Sequence, residues 1–497
     1  MQEAATVQIS ADPIAIGAFA AYLAVIVTIG VLSARFSSTG VSEFFVGGRK
    51  MHRFVVALSA VVSGRSAWLL LGVTGMAYTM GANAVWAVAG YIIAEVFLFL
   101  FYARRLRHFA EAHDCVTVPD FYAARFGDRD GLLRSILIVV ILIFMVGYVS
   151  SQFVGGGKAF AASFGLNPDI GVLFTALIVL VYTTLGGFLA VSLSDTLQAC
   201  IMILALVLVP AIAITDAGGL TAIIAELRTI DPTTIDPVAL SAGALIGFLG
   251  IGLGSPGNPH IIVRYMSIQD PDQLRTSAVV GTVWNVVMAW GALFIGLAGR
   301  VFFPDVAMLP DGDTEQLYPV LAAQHLHPAL FGIVVASIFA AIISTADSQL
   351  LVAASSVVRD FYEKILHRNE VVPQKRLVLY SRLMVILLVT AALVFGLLAE
   401  QLVFWLVLFA WAGLGASFGP TSILALYWRR TTRAGVIAGL ATGTIITIVW
   451  ELTPWLSTLI YELIPAFAGG LLVTVIVSRM TAPPGNVAAM FANMKGD

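Results

Sequence analysis

The 497-residue sequence predicts an all-α polytopic membrane protein of about thirteen transmembrane helices. Three observations predict it. Hydrophobic residues make up 59% of the chain and charged residues only 11%, apolar runs recur from end to end, and the basic residues crowd the loops of one side. Soluble domains carry roughly 25% charged residues. So much apolar surface has no place in a water-soluble core of this size. It faces lipid, where a helix needs ~20 apolar residues to cross. Backbone polar groups in lipid have to be satisfied within the segment, so the spans are helices. The alternating pattern of an outer-membrane barrel is absent. Residues 1–497 therefore read as one integral membrane domain.

Taken in order, the spans cover roughly 13–34, 54–80, 82–103, 134–160, 168–188, 194–214 and 238–258. They continue over 276–302, 329–357, 377–399, 402–427, 433–452 and 459–479. Of the 27 Lys and Arg residues, 23 fall on one side, Arg228 and Arg300 fall on the other, and Arg65 and Lys158 fall within spans. Positive loops mark the cytoplasm, which puts the N-terminus outside and the C-terminus inside a plasma membrane, a bacterial inner membrane. The stretches 103–133 and 358–376 read as cytoplasmic loops. A net charge of −2 gives no support to a nucleic-acid partner. Two distant cysteines, Cys115 and Cys200, make neither a disulfide framework nor a metal cluster. The acidic start at Met1 lacks a basic n-region, so the first span is expected to remain in place.

Spans 2 and 7 are interrupted. Span 2 carries Ser63-Gly64-Arg65-Ser66-Ala67-Trp68, and span 7 carries Gly252-Leu253-Gly254-Ser255-Pro256-Gly257-Asn258-Pro259. Gly frees the backbone, and Pro removes a donor and breaks a helix. Broken helices expose carbonyls and amides that serve as ion and carboxylate ligands. A lone break is as readily a packing kink. Two breaks five spans apart fit a 5+5 inverted-repeat core over 54–427, with repeats 54–214 and 238–427. Gly254, Pro256 and Pro259 then become hinge or coupling positions.

Several polar residues lie inside spans. In span 9, Ser344 and Thr345 present hard oxygen ligands for an alkali cation, although such hydroxyls commonly bond back to their own helix. Asp347 is a costly intramembrane carboxylate, unless it sits in water at the cytoplasmic end. Asp195 opens span 6 and, with Gln198 three residues on, reads equally as an N-cap. Glu95 and Lys158 are buried-charge candidates that can also reach an interface by snorkelling. Arg65, beside the first break, needs an anionic partner: a substrate carboxylate, Asp347 or Glu95.

The chain resembles the sodium/solute symporter family, most closely its sodium/proline symporters. The resemblance rests on Gly186-Gly187-Phe188-Leu189-Ala190-Val191-Ser192 with Asp195-Thr196-Leu197-Gln198-Ala199, on Gly252-Leu253-Gly254 with Gly257, Pro259 and His260, on Ala340-Ala341-Ile342 with Ser344, Thr345 and Gln349, and on Trp411 through Pro420. It implies the amino-acid/sodium symporter fold and a sodium ion held by the carbonyls of Val62, Arg65 and Ala341 and the hydroxyls of Ser344 and Thr345. It brings Asp195 in as a further sodium position. It also assigns Ser66, Trp68, Tyr148 and Gln152 to the solute site, together with positions 251 and 255. Here the chain departs from proline symporters. Gly64 and Arg65 stand where those have Asp and Met, and Ile251 and Ser255 replace a Trp and a Tyr.

The function expected is sodium-coupled import of a small solute, L-proline or another small amino or carboxylic acid, by alternating access. Sodium is the coupling ion, no other cofactor is expected, and the lipid bilayer is the setting. Two rivals are a proton-coupled transporter using Asp347 or Asp195, and a non-transporting membrane sensor. An enzyme is not expected. The His108–His113 spacing fits no zinc motif, and the glycine pattern at 252–257 follows no strand, so it is not a dinucleotide fingerprint.

Overall fold

The computed structural model describes residues 12–37, 40–368, 370–398 and 402–495. The start at Met1 lies outside them. Among the described residues the structure is helical, and its one β-bridge pairs Met51 with Ile268. Ten continuous helical segments are long and apolar enough to cross a membrane. Two carry more than one passage. Trp68–Ala112 holds the second half of span 2 and all of span 3, and Pro168–Asp216 holds spans 5 and 6. The second of these reverses at Gly187, whose φ of 61° is costly for a side chain and free for glycine. With the shorter pieces Arg53–Ser63 and Ala242–Gly257, the passages number thirteen.

Several expected boundaries move. Span 3 runs on to Ala112, and a short helix, Val118–Phe126, follows within what reads as a loop. Span 9 continues beyond 357 to Leu366. Span 7 does not stop at 258. It tightens over Ile251–Gly257 and restarts as Pro259–Ser267, because a proline is preorganised for the first position of a helix. Arg264 is therefore inside the helical bundle and not in a loop.

The helices form two groups. Spans 4, 5, 6, 9 and 10 pack on one another, with span 1 against spans 5, 6 and 9. Spans 2, 3, 7 and 8 form the second group. Span 11 lies across the break of span 7 and touches spans 2 and 4, and spans 12 and 13 pair beside it. Both breaks face this junction. It is where polar backbone can be tolerated at membrane depth, because protein covers it.

Candidate functional site

The break in span 2 is held open by specific bonds. Ser66 adopts φ 47°, unusual for a residue with a side chain. Its hydroxyl accepts from Trp68 N at 3.1 Å, and Gln152 Oε1 of span 4 accepts from Ala67 N at 2.9 Å. The new helix start is thereby capped from two sides. On the other side of the break, carbonyls turn to span 9. Thr345 Oγ1 donates to Ser63 O at 3.0 Å, and Ser344 Oγ lies 3.5 Å from Val62 O and 3.1 Å from Ala341 O. The carbonyl of Arg65 accepts from Leu69 N at 3.0 Å within the second half-helix. Uncharged carbonyl and hydroxyl oxygens drawn from two helices are the donor set that suits a small hard cation. These oxygens are buried.

Behind this set lies a charged cluster. Asp195 does not cap a helix; it sits inside one, eight residues past the Gly187 reversal. Its Oδ2 accepts from Ser59 at 2.6 Å and from Ser63 at 3.2 Å, and pairs with Arg264 at 3.3 Å. Arg264 also donates to Ser59 at 3.1 Å, to His260 O at 2.6 Å, and to Ser348. Ser348 bonds in turn to Ser63, to Asp347 and to Ser344 O. Asp347 is wholly buried and not at a wet helix end. One guanidinium thus pairs with Asp195, reaches Asp347 through Ser348, and ties span 7 to spans 2, 6 and 9. The sequence does not single out Arg264: a basic residue five positions after Pro259 and beyond the apolar run 238–258 reads as a loop residue.

Arg65 belongs to a third cluster. Its guanidinium pairs with Glu95 at 2.9 Å, bonds to Asn285, and lies 3.6 Å from the ring centroid of Tyr91. Asn285 also bonds to Glu95. Of the partners open to Arg65, the structure selects Glu95, and Nη1 of the guanidinium stays buried without a protein partner. Glu95, being paired and buried, does not snorkel. Lys158 is likewise engaged, at 2.6 Å from Glu315 and 2.7 Å from Asp313. Glu315 in turn accepts from the amides of Val403 and Phe404, at 2.9 and 2.8 Å, and so caps span 11.

Between the groups lies a small enclosed cavity of about 10 Å³. Four rings line it, those of Trp68, Tyr91, Tyr148 and Trp411, together with Ile251, Val407, Leu408 and the backbone of Gly64. A much larger cavity of about 670 Å³ is lined by Ile251, Leu402, Trp405, Leu408 and the 457–462 segment. Ile251 and Leu408 line both, and so divide one from the other. Of the expected solute-site residues, Trp68, Tyr148 and Ile251 meet here. Ser66 and Gln152 hold the break itself. Ser255 Oγ is buried without a protein partner and does not line this cavity. The hinge residues are packed and bonded: Gly254 O accepts from Asn258 at 2.9 Å and Pro256 O from Ser422 at 3.1 Å, and Pro259 opens the second half-helix. Tyr91 has no signal in the sequence, since an aromatic in an apolar span reads as core, and Trp411 stands in a segment that carries the family resemblance but with no site role assigned to it. No group of acidic, histidine or cysteine side chains suited to a bound metal occurs among the described residues.

Residues 44–443 match the sodium:solute symporter family. Sodium/proline symporters of several Staphylococcus aureus strains, JH9 and NCTC 8325 among them, are 36% identical over 477 residues, covering 94% of this chain and 92% of theirs. Among solved structures, a substrate-bound, outward-open Na+-coupled sialic acid symporter with a novel Na+ site superposes with a TM-score of 0.80 at 18% identity, covering 95% of this chain and 99% of the other. A nucleobase-cation-symport-1 family transporter, closed around bromovinylhydantoin, gives 0.56 at 15% identity over 90% and 98% of the two chains. At these identities the structural likenesses speak for the fold.

Proposed function

The chain belongs to the sodium:solute symporter family, and from that premise we propose that it couples entry of L-proline, or a close relative of it, to one sodium ion. Sodium-coupled transport of a small solute is the family's activity. The observation that carries the finer reading is the meeting of Val62, Ala341, Ser344 and Thr345 between spans 2 and 9. Sodium bound there draws the two helix groups together and orders the break at Gly64–Ser66. Asp195 acts from behind, its charge reaching the site through Ser63. The solute occupies the cavity beside the break, which at about 10 Å³ has room for one water and widens as Ile251 and Leu408 part, and the groups rock to release both on the basic, cytoplasmic side.

The names of the S. aureus relatives support proline. Arg65 is paired with Glu95, which offsets its charge and favours a zwitterion over a purely anionic carboxylate as the solute. One charge crossing about 100 mV releases ~2.3 kcal/mol, and a tenfold sodium gradient ~1.4 kcal/mol. Together they support accumulation of a neutral solute about 500-fold at one-to-one coupling. The test is proline uptake into proteoliposomes. Ser344→Ala combined with Thr345→Ala should raise the sodium concentration for half-maximal uptake at least about tenfold, or abolish the sodium response, with the protein still folded in detergent. An unchanged sodium response would remove these hydroxyls from the site.

A further inference from the structure

We infer that this pocket selects a zwitterion whose ammonium is substituted, cyclic or N-methylated, and that Tyr91 is the residue that sets this preference, positioned by Arg65. The inference rests on the solute-site reading above and narrows it to a chemical class.

Trp68, Tyr91, Tyr148 and Trp411 come from four different spans and line one cavity. Tyr91 is central: its ring lies 6.4 Å from Trp68 and 5.3 Å from Trp411, at interplanar angles near 30°. None of the lining residues carries a charge. The buried charges lie outside the lining: Arg65 pairs with Glu95, Asp195 with Arg264, and Asp347 is joined to Arg264 through Ser348. A solute ammonium therefore meets aromatic faces and backbone carbonyls, not a carboxylate.

That setting discriminates by chemistry. A primary ammonium brings three N–H donors, each costly to leave unpaired once out of water. Alkylation removes donors and spreads the charge over groups that aromatic faces cover well, which is how aromatic cages hold quaternary ammonium groups. Trp68 adds the complement: its indole N–H is buried with no protein partner, a donor available to the solute carboxylate.

Tyr91 is locked in place from both ends. Its hydroxyl donates to Gly64 O at 3.2 Å, and the Arg65 guanidinium lies against its ring. A Cβ at position 64 would come within 2.2 Å of that hydroxyl. Gly64 and Tyr91 are thus a matched pair: the ring stands where a side chain on the break would otherwise project.

The experiment is competition against sodium-driven proline uptake in proteoliposomes, using glycine, N-methylglycine, N,N-dimethylglycine and trimethylglycine, then proline, N-methylproline and N,N-dimethylproline. Potency should rise along the glycine series, by about tenfold from first to last, and hold or rise along the proline series. Tyr91→Leu should flatten the series, Tyr91→Phe should keep it, and Arg65→Met should weaken it where Arg65→Lys restores part. The same order should appear in quenching of tryptophan fluorescence in detergent, which needs no sodium gradient. Methylated compounds weaker than glycine, or a slope unaltered in Tyr91→Leu, would overturn the inference. Absence of sodium-driven proline uptake together with a rising quenching series would instead sink the transport reading and leave the pocket chemistry standing.

Discussion

At the scale of single residues, two buried guanidiniums do different work. Arg264 bridges the helix groups through Asp195 and Ser348, whereas Arg65 stays within one group, joining span 2 to Glu95 of span 3 and Asn285 of span 8. Removing one partner of a buried ion pair costs about 3–5 kcal/mol, while replacing both by apolar residues is often neutral. Arg65→Met is therefore expected to lower the unfolding temperature in detergent. Adding Glu95→Leu should recover most of the loss. A double variant as unstable as the sum of the single ones would show that the pair is not the reason. The residue scale is also where sequence reading fell short. Arg65 and Glu95 were both visible as charges in apolar spans, and a partner for Arg65 was narrowed to a few. Gly64 reads as part of the break and as a missing carboxylate but not as space for a ring, because the hydroxyl that fills that space belongs to a residue 27 positions away.

At the scale of elements, each end of the molecule has a charged tie. At one end, the loop carrying Glu315 reaches Lys158 of span 4 and caps span 11. Span 11 carries Leu408, which with Ile251 divides the large cavity from the small one. Glu315→Gln loosens both contacts, so a cysteine placed at Leu408, in a background lacking Cys115 and Cys200, should react faster with a membrane-impermeant thiol reagent. Equal labelling would separate the tie from the gate. At the other end, Asp120 of the Val118–Phe126 helix binds Arg134 at 2.8 Å and lies 3.7 Å from Arg359, where spans 4 and 9 meet. Burial alone would raise its carboxyl, but Arg134 and Arg359 outweigh it and hold it below the ordinary carboxylate range. A depressed acid contributes stability above its unfolded value, about 3.9, and that stability is lost as pH falls through the lower folded value. The unfolding temperature should drop below about pH 4, and Asp120→Asn should reduce the drop while lowering the temperature at neutral pH. Sequence alone placed this helix in a loop, since its anchoring partners come from distant spans.

At the scale of the whole molecule, thirteen passages sort into a packed group, a group holding both breaks, and three further helices beside them. The oxygens of Val62, Ser344 and Thr345 straddle the two groups, so on the proposed reading ion binding and relative motion are one event. A neutral solute moving with one sodium carries net charge. An inside-negative potential imposed with valinomycin should therefore speed proline uptake, and collapsing it should slow uptake at a fixed sodium gradient. A rate indifferent to voltage would require a compensating charge movement.

The sequence by itself determined the membrane class, the number of passages, the position of both breaks and the presence of two adjacent hydroxyls, Ser344 and Thr345, inside an apolar span. All of these follow from runs of contiguous residues: apolar length, Gly and Pro that cannot continue a helix, hydroxyls in an apolar turn. Only the tertiary structure decided that Arg65 answers to Glu95, that Arg264 belongs to the core, and that Tyr91 and Trp411 wall the cavity beside the first break. Those facts depend on contacts between residues far apart in the chain. No local pattern encodes which of several buried charges will meet, because the choice is made by the packing of whole helices.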